Sequence, residues 1–315
     1  MTWHAKPWPL TIAVLAGGES AERAVSLASG EQVSLALRSA DHLVEVIDPS
    51  ATPLETLDWS RYDVCFLALH GGAGEDGRTQ QQLKNLGVGY TGSGPAASRL
   101  AMSKSAAKER FVQARVPTLP YALFHVTEPL DDVAANIARL GFPVVVKPDS
   151  QGSSLGVGFA GCRTELDERI AASCAYEAFA LAEPWIDGRE FTVAVLGREP
   201  LPLLEVLTPR GMLDYEAKYH DPATRCRFET GLPAGEVVRL QSIAVSAAAA
   251  LNTSGLVRVD LMLDRTGCPW VLEVNTTPGM TASSFAPQAA RRAGLDLAAL
   301  CEWMLRDALA VEVLT

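Results

Sequence analysis

The chain has 315 residues, 48% of them apolar, enough for a large core and too many for one domain of average size, so two or three domains are expected. Charged residues make up 20%, which excludes wholesale disorder. A formal charge of -10, with no basic tail and no Lys/Arg-rich block, disfavours a nucleic-acid surface, so any phosphate site must be built locally. Residues 1–10 carry only His4 and Lys6 as basic groups and run straight into a strand pattern, so no signal peptide is expected. The apolar runs are far short of a membrane span. The cysteines, Cys65, Cys162, Cys174, Cys226, Cys268 and Cys301, show no zinc-site spacing, and reduced structural thiols in a cytosolic protein are the expectation.

A strand over 11–16 ends at Gly17-Gly18, and Ser20 is placed to cap a helix over 21–37. Strands over 42–47 and 64–69 follow. This strand–helix–strand rhythm predicts a parallel sheet with helices over its faces. The glycine-rich segment 71–77 comes directly after the third strand, where open parallel sheets gather ligands. Residues 90–95 read as the exit from this domain. One helix over 98–114 comes next, broken at Val116-Pro117. Strands over 121–126 and 144–147 flank a helix over 132–140 that Gly141 ends. A Gly/Ser loop occupies 151–158. Strands over 180–184 and 191–196, with a turn at Asp187-Gly188, read as the start of a third unit. Residues 209–235 show no clear element, which at this length marks a functional loop or lid. A helix over 237–251, including the Ala-rich run, then leads to strands over 256–263 and 270–274. These turn at 264–267, and a last helix covers 297–310.

The strand pair near the carboxyl end carries the strongest chemical signal. Arg258 and Asp260 lie two apart, as do Glu273 and Asn275, so each pair shares a face. If Asp264 pairs with Pro269, Asp260 faces Glu273 and Arg258 faces Asn275, while Leu261, Leu263 and Leu272 point into a core. Two carboxylates and an amide oxygen suit magnesium. A solvated face with an ordinary salt bridge to Arg258 explains the pattern equally well. Lys147 ends an apolar strand just before the Gly/Ser loop, whose N–H groups can cradle phosphate, although the loop is not a Walker A motif. Lys104 is a second candidate, which alone reads as a solvated surface lysine. Segment 17–23 opens a helix without the Gly-x-Gly-x-x-Gly fingerprint and carries Glu19. Glu22 sits in the first turn, favoured there by the helix dipole and equally able to anchor an amino group. His70 ends a strand before a glycine loop, a ligand-contact position. His42, His125 and His220 have no partner pattern. No Gly-x-Ser-x-Gly elbow or Ser-His-Asp arrangement is present, which weighs against a serine hydrolase.

Five segments, in order, resemble the D-alanine–D-alanine ligase family of ATP-grasp enzymes. They are Ala16-Gly17-Gly18-Glu19-Ser20-Ala21-Glu22-Arg23, then Leu69-His70-Gly71-Gly72-Ala73-Gly74-Glu75-Asp76-Gly77. Val146-Lys147-Pro148 with Gly152-Ser153-Ser154-Leu155-Gly156 is the third, and Asp214-Tyr215-Glu216-Ala217-Lys218-Tyr219 the fourth. The last combines Arg258-Val259-Asp260 with Glu273-Val274-Asn275-Thr276-Thr277-Pro278-Gly279-Met280-Thr281. The resemblance implies an α/β and α+β architecture: an amino-terminal parallel-sheet (pre-ATP-grasp) domain over 1–95, then a two-part ATP-grasp fold over 96–186 and 187–315. It implies ATP-dependent joining of two D-alanine molecules through a D-alanyl phosphate, for peptidoglycan precursor synthesis in the cytoplasm. ATP, two Mg2+ (or Mn2+) and a homodimer are implied, with no nucleic-acid or membrane partner.

Carried over by residue, Lys104 and Lys147 bind ATP phosphates, with Ser153 and Ser154 in the covering loop. Glu183, Trp185 and Ile186 lie along the adenine, Glu190 holds the ribose, and Lys218 reaches the terminal phosphate. Asp260, Glu273 and Asn275 hold the metals. Glu22 grips the first D-alanine ammonium, with His70 nearby. Arg258 and the Gly279 N–H form an oxyanion hole, and Ser284 binds the second carboxylate. Tyr219 joins Ser153 and Glu22 in a lid-closing triad. Phe285 stands where the family more often has leucine, beside the second-substrate pocket, and the segment 227–233 also departs from the family pattern. Alternatives are a ligase joining D-alanine to D-serine or D-lactate, and a non-catalytic nucleotide-binding regulatory protein.

Overall fold

The computed structural model describes residues 8–208 and 225–312. Strand β1 (Thr11–Leu15) runs parallel to β2 (Leu43–Ile47) on one side and β3 (Val64–Leu67) on the other. Its side chains alternate between two buried faces, which is why its sequence is an unbroken apolar run. Ile12 and Val14 share a core with Val33 and Leu37 of α1 (Arg23–Ser39) and with Leu300, Met304 and Leu305 of the last helix. Ala13 and Leu15 face a second core with Leu54, Leu67 and Leu83. Chain beginning and chain end therefore share one hydrophobic interior.

Helix α1 starts at Arg23, not Ala21, and Ser20 does not cap it. The Ser20 hydroxyl donates instead to the His70 carbonyl and accepts the Glu22 N–H at 3.2 Å. Helix α2 (Arg78–Asn85) was not expected, because Leu83 is its only apolar residue. The single helix expected over 98–114 is two, α3 (Pro95–Met102) and α4 (Lys104–Gln113). Ser103 leaves the helical region between them and caps α4. Its hydroxyl donates to Asp149 at 2.7 Å, and Asp149 also accepts the Ser105 N–H at 2.8 Å. A carboxylate distant in sequence thus divides a segment whose local propensity is helical throughout.

A four-stranded antiparallel sheet has the order β4-β7-β5-β6: β4 (Ala122–His125), β5 (Val144–Pro148), β6 (Gly158–Ala160) and β7 (Phe179–Pro184). Helices α5 (Leu130–Ala138) and α6 (Arg163–Cys174) contribute Val133, Ile137 and Leu166 to its core with Phe124, Val144 and Val146. Strand β7 lies between β4 and β5, so it completes this sheet rather than opening a third unit.

The largest sheet is antiparallel, with the order β11-β10-β8-β12-β13 and β9 beside β8. Its strands are β8 (Gly188–Leu196), β9 (Glu199–Pro200), β10 (Leu204–Leu207), β11 (Arg225–Arg227), β12 (Leu256–Asp264) and β13 (Pro269–Asn275). Helix α7 (Ala234–Ala250) packs Leu240, Ala244 and Ala247 against Val193, Val195, Val257 and Val259. Helices α8 (Phe285–Arg292) and α9 (Leu297–Glu312) close the first core. Of the expected irregular stretch, 225–227 is a strand, α7 begins at 234, and 209–224 lie outside the described residues. All six cysteines are free thiols, and burial pushes Cys65 and Cys301 well above the ordinary range. No helix among the described residues is long and apolar enough to cross a membrane.

Candidate active site

The β12–β13 hairpin pairs Leu263 with Pro269, Met262 with Trp270 and Leu261 with Val271. The expected Asp264–Pro269 pairing is therefore one residue out. A β-bulge at Leu272 restores the register, so Asp260 faces Glu273 and Arg258 faces Asn275, as expected. Leu261 and Leu263 are in the core, but the bulge turns Leu272 out to line a cavity. Arg258 grips Asp260 with two parallel bonds, Nε to Oδ1 at 2.9 Å and Nη2 to Oδ2 at 2.8 Å. The Thr192 hydroxyl, from β8, donates to the same Oδ1 at 2.7 Å. The salt bridge and the clustered oxygens thus coexist. Asn275 Oδ1 accepts the Thr277 N–H at 2.8 Å and retains a second lone pair. Among the described residues no three His, Cys, Asp or Glu side chains gather as a closed metal cage. The oxygens of Asp260, Glu273 and Asn275 fit a hard cation completed by waters and phosphate oxygens.

Two cavities meet at this hairpin and share Lys104, Gln151 and Glu273 as walls. The larger, about 430 Å³, lies between α1, the Gly/Ser loop and the segment from Asn275 to Phe285. Glu22, His70, Ser153, Arg258, Gly279, Ser284 and Phe285 line it, so these expected positions are brought together. The smaller, about 130 Å³, lies between the two antiparallel sheets. Val145, Ile186, Met262 and Leu272 give it apolar walls, and Lys147, Ser154, Glu183, Trp185, Glu190 and Asp260 border it. Apolar walls beside charged groups suit a purine with its phosphates. Lys218 and Tyr219 lie outside the described residues. Glu19 lines neither cavity.

The Gly/Ser loop is held over the larger cavity. The Ser153 hydroxyl donates to Glu22 Oε1, joining the loop to the start of α1, where Glu22 stands at the N-cap position rather than in the first turn as expected. Ser153 and Ser154 both take left-handed backbone conformations, φ 50° and 56°. Two consecutive non-glycine residues there store strain that the surrounding bonds must hold. Gly71, at φ 64°, passes so near that a Cβ would stand 2.6 Å from Glu22 Oε2. A Cβ on Gly279 would likewise stand 2.7 Å from Ser284 Oγ, so glycine lets that turn close on the start of α8. Both ring nitrogens of His70 are engaged: Nδ1 donates to the Thr277 carbonyl at 3.0 Å and Nε2 accepts the Ser29 hydroxyl at 2.8 Å. Ser29 also accepts the Met280 N–H at 3.1 Å. His70 and Ser29 thus pin the two ends of the turn that carries Gly279.

Lys104 is buried, not solvated, and its Nζ donates to the Gln151 carbonyl at 2.7 Å. Burial lowers its pKa, opposed by the Glu273 charge. Glu183 is buried between two lysines, with Lys108 on Oε1 and Lys147 on Oε2. Burial alone would raise its pKa, but Lys147 and Lys108 together hold it below the usual carboxylate range. Sequence reasoning missed Lys108, Thr192 and Ser29. Only Lys108 left a trace, being one helical turn from Lys104 and so on the same face.

A model of the family described as D-ala D-ala ligase C-terminus matches residues 111–306. The D-alanine–D-alanine ligase of Stutzerimonas stutzeri is 44% identical over 298 residues, covering 95% of this chain and 94% of that protein. That of Alkalilimnicola ehrlichii is 42% identical over 296 residues, covering 94% of each. The crystal structure of the Bacillus anthracis ligase complexed with ATP superposes with a TM-score of 0.85 at 28% identity, covering 96% of this chain and 99% of that one. On family model, relatives and architecture together, the chain belongs to the D-alanine–D-alanine ligase family.

Proposed function

We propose that this protein joins two D-alanine molecules at the expense of ATP, giving D-alanyl-D-alanine, ADP and phosphate. The observation that carries this reading is the meeting of the two cavities at the Asp260–Glu273 face. An apolar-walled cleft with lysines opens there onto a polar chamber holding Glu22 and Arg258. In this ATP-grasp arrangement adenine lies by Glu183, Trp185 and Ile186, with the ribose at Glu190. Lys104 and Lys147 meet the phosphates under the loop of Ser153 and Ser154, joined by Lys218. Asp260, Glu273 and Asn275 would hold two magnesium or manganese ions, which when bound supply charge neutralisation on the phosphates.

Glu22 anchors the ammonium of the first D-alanine, whose carboxylate attacks the γ-phosphorus to give an acyl phosphate. The second D-alanine, its carboxylate at Ser284, attacks the acyl carbon through its amine and expels phosphate. Arg258 and the Gly279 N–H stabilise the tetrahedral oxyanion. Because water would destroy the acyl phosphate, closure of the chamber by Ser153, Glu22 and Tyr219 matters. His70 acts through the Gly279 turn, since its ring nitrogens are already engaged. The enzyme works as a cytoplasmic homodimer in peptidoglycan precursor synthesis, with domains over 1–95, 96–186 and 187–315.

Phosphate release measured with D-alanine, D-serine and D-lactate as acceptors tests the reading. D-alanine should be much the fastest. Release that no acceptor stimulates, despite ATP binding, would instead favour a regulatory nucleotide-binding protein. The contact between the loop and α1 gives a second expectation. Ser153→Ala removes a hydrogen bond to a charged group, so kcat should fall by about tenfold while the melting temperature stays near the parent value. An unchanged kcat would remove Ser153 from chamber closure.

A further inference from the structure

Lys108 is the one lysine among the described residues with no solvent exposure at all. It is absent from the lining of both cavities. It lies on α4 one turn after Lys104, and two like charges so spaced repel unless each has its own partners. Lys104 has the Gln151 carbonyl. Lys108 pairs with Glu183 Oε1 and donates to the Thr118 hydroxyl at 2.8 Å and the Leu119 carbonyl at 3.3 Å. Thr118 in turn donates to the Val271 carbonyl at 3.0 Å, on β13 two residues before Glu273. Lys108 therefore stands behind the smaller cavity, where a strand of one antiparallel sheet meets a strand of the other.

We infer that Lys108 is a positioning residue for the nucleotide: it fixes the Glu183 carboxylate from behind so that Lys147 is available to phosphate. The inference rests on the nucleotide reading of the smaller cavity. Glu183 shares its two oxygens between Lys108 and Lys147, but only Lys147 borders the cavity. A triphosphate competes with Glu183 for Lys147. If Lys147 were the sole partner, its move to phosphate would strand a buried carboxylate without a counter-charge. With Lys108 behind it, Glu183 keeps one ammonium whichever way Lys147 turns, and stays an oriented acceptor at the cavity wall.

The test compares Lys108→Met, Glu183→Gln and the double variant by steady-state kinetics and by titration with ADP, which binds without reacting. Lys108→Met should raise KM for ATP and Kd for ADP by about tenfold or more, with kcat at saturating ATP and KM for D-alanine within about twofold. In the Glu183→Gln background the same substitution should change either constant by less than about twofold, because its route of action is gone. Should Lys108→Met not fold, the double variant against Glu183→Gln supplies the comparison, since no buried carboxylate is then stranded. A full effect in that background, or a fall in kcat with ATP and ADP affinity unchanged, would overturn the positioning role and leave the nucleotide reading intact. Unchanged ATP and ADP affinity in Glu183→Gln alone would overturn both.

Discussion

Glu273→Ala is expected to abolish useful turnover in a protein that still folds. Glu273 borders both cavities and faces Asp260 across the bulged hairpin, where the proposed reaction brings phosphates, cations and the acyl group together. Its charge also supports the protonated form of the buried Lys104. On the proposed roles, the variant would lose a cation ligand and weaken a phosphate-binding ammonium in one step. Removing partners that merely orient a metal ligand already costs about 10–100-fold, so loss of the carboxylate itself should cost at least about 100-fold in phosphate release at saturating ATP and magnesium. Glu273 is only half-buried and shortening it leaves the apolar cores untouched, so the melting temperature should stay near that of the parent. Near-normal phosphate release from the folded variant would dismantle the assignment of this face.

The second large effect is expected for Arg258→Lys. The substitution keeps the charge and removes the planar fork that grips Asp260 with bonds of 2.9 and 2.8 Å. A lysine cannot hold Asp260 at two points and also present a donor at a fixed place beside Gly279. Losing one preorganised oxyanion donor costs about 10²–10³ in kcat, and that range is expected here, with KM for ATP changing little. The split matters, because Arg258 borders only the larger chamber. A rise in KM for ATP with kcat preserved would move Arg258 from the acyl-transfer step to nucleotide binding.

The hairpin shows how far sequence reasoning reaches. Alternation in 258–260 and 273–275 put each polar pair on one face, and that follows from strand geometry alone. The facing of Asp260 and Glu273 was reached from a turn pairing that is one residue out. The bulge at Leu272 absorbs the error, and no local sequence signal announces it. The helix over 98–114 failed differently. Nothing between Ser98 and Ala114 opposes a continuous helix, and the break comes from Asp149, which follows β5 and lies 46 residues beyond Ser103.

By itself the sequence determined which residue types were available and in what local order: the two-faced apolar strand β1, the glycine turns, the alternating polar pairs and the motifs that resemble the ligase family. These depend on periodicity and turn chemistry, which act over a few residues. Only the tertiary structure decided which charges are buried and with whom. Lys104 by itself reads as a solvated surface lysine, and Lys108 attracts no reading at all. Burial and the Gln151 carbonyl make Lys104 a wall of both cavities, while Glu183, Thr118 and Leu119 hold Lys108 behind the smaller one. The physical reason is that desolvation is a property of the assembled interior, and the partners that make it tolerable lie on other strands and segments, beyond the reach of any local pattern.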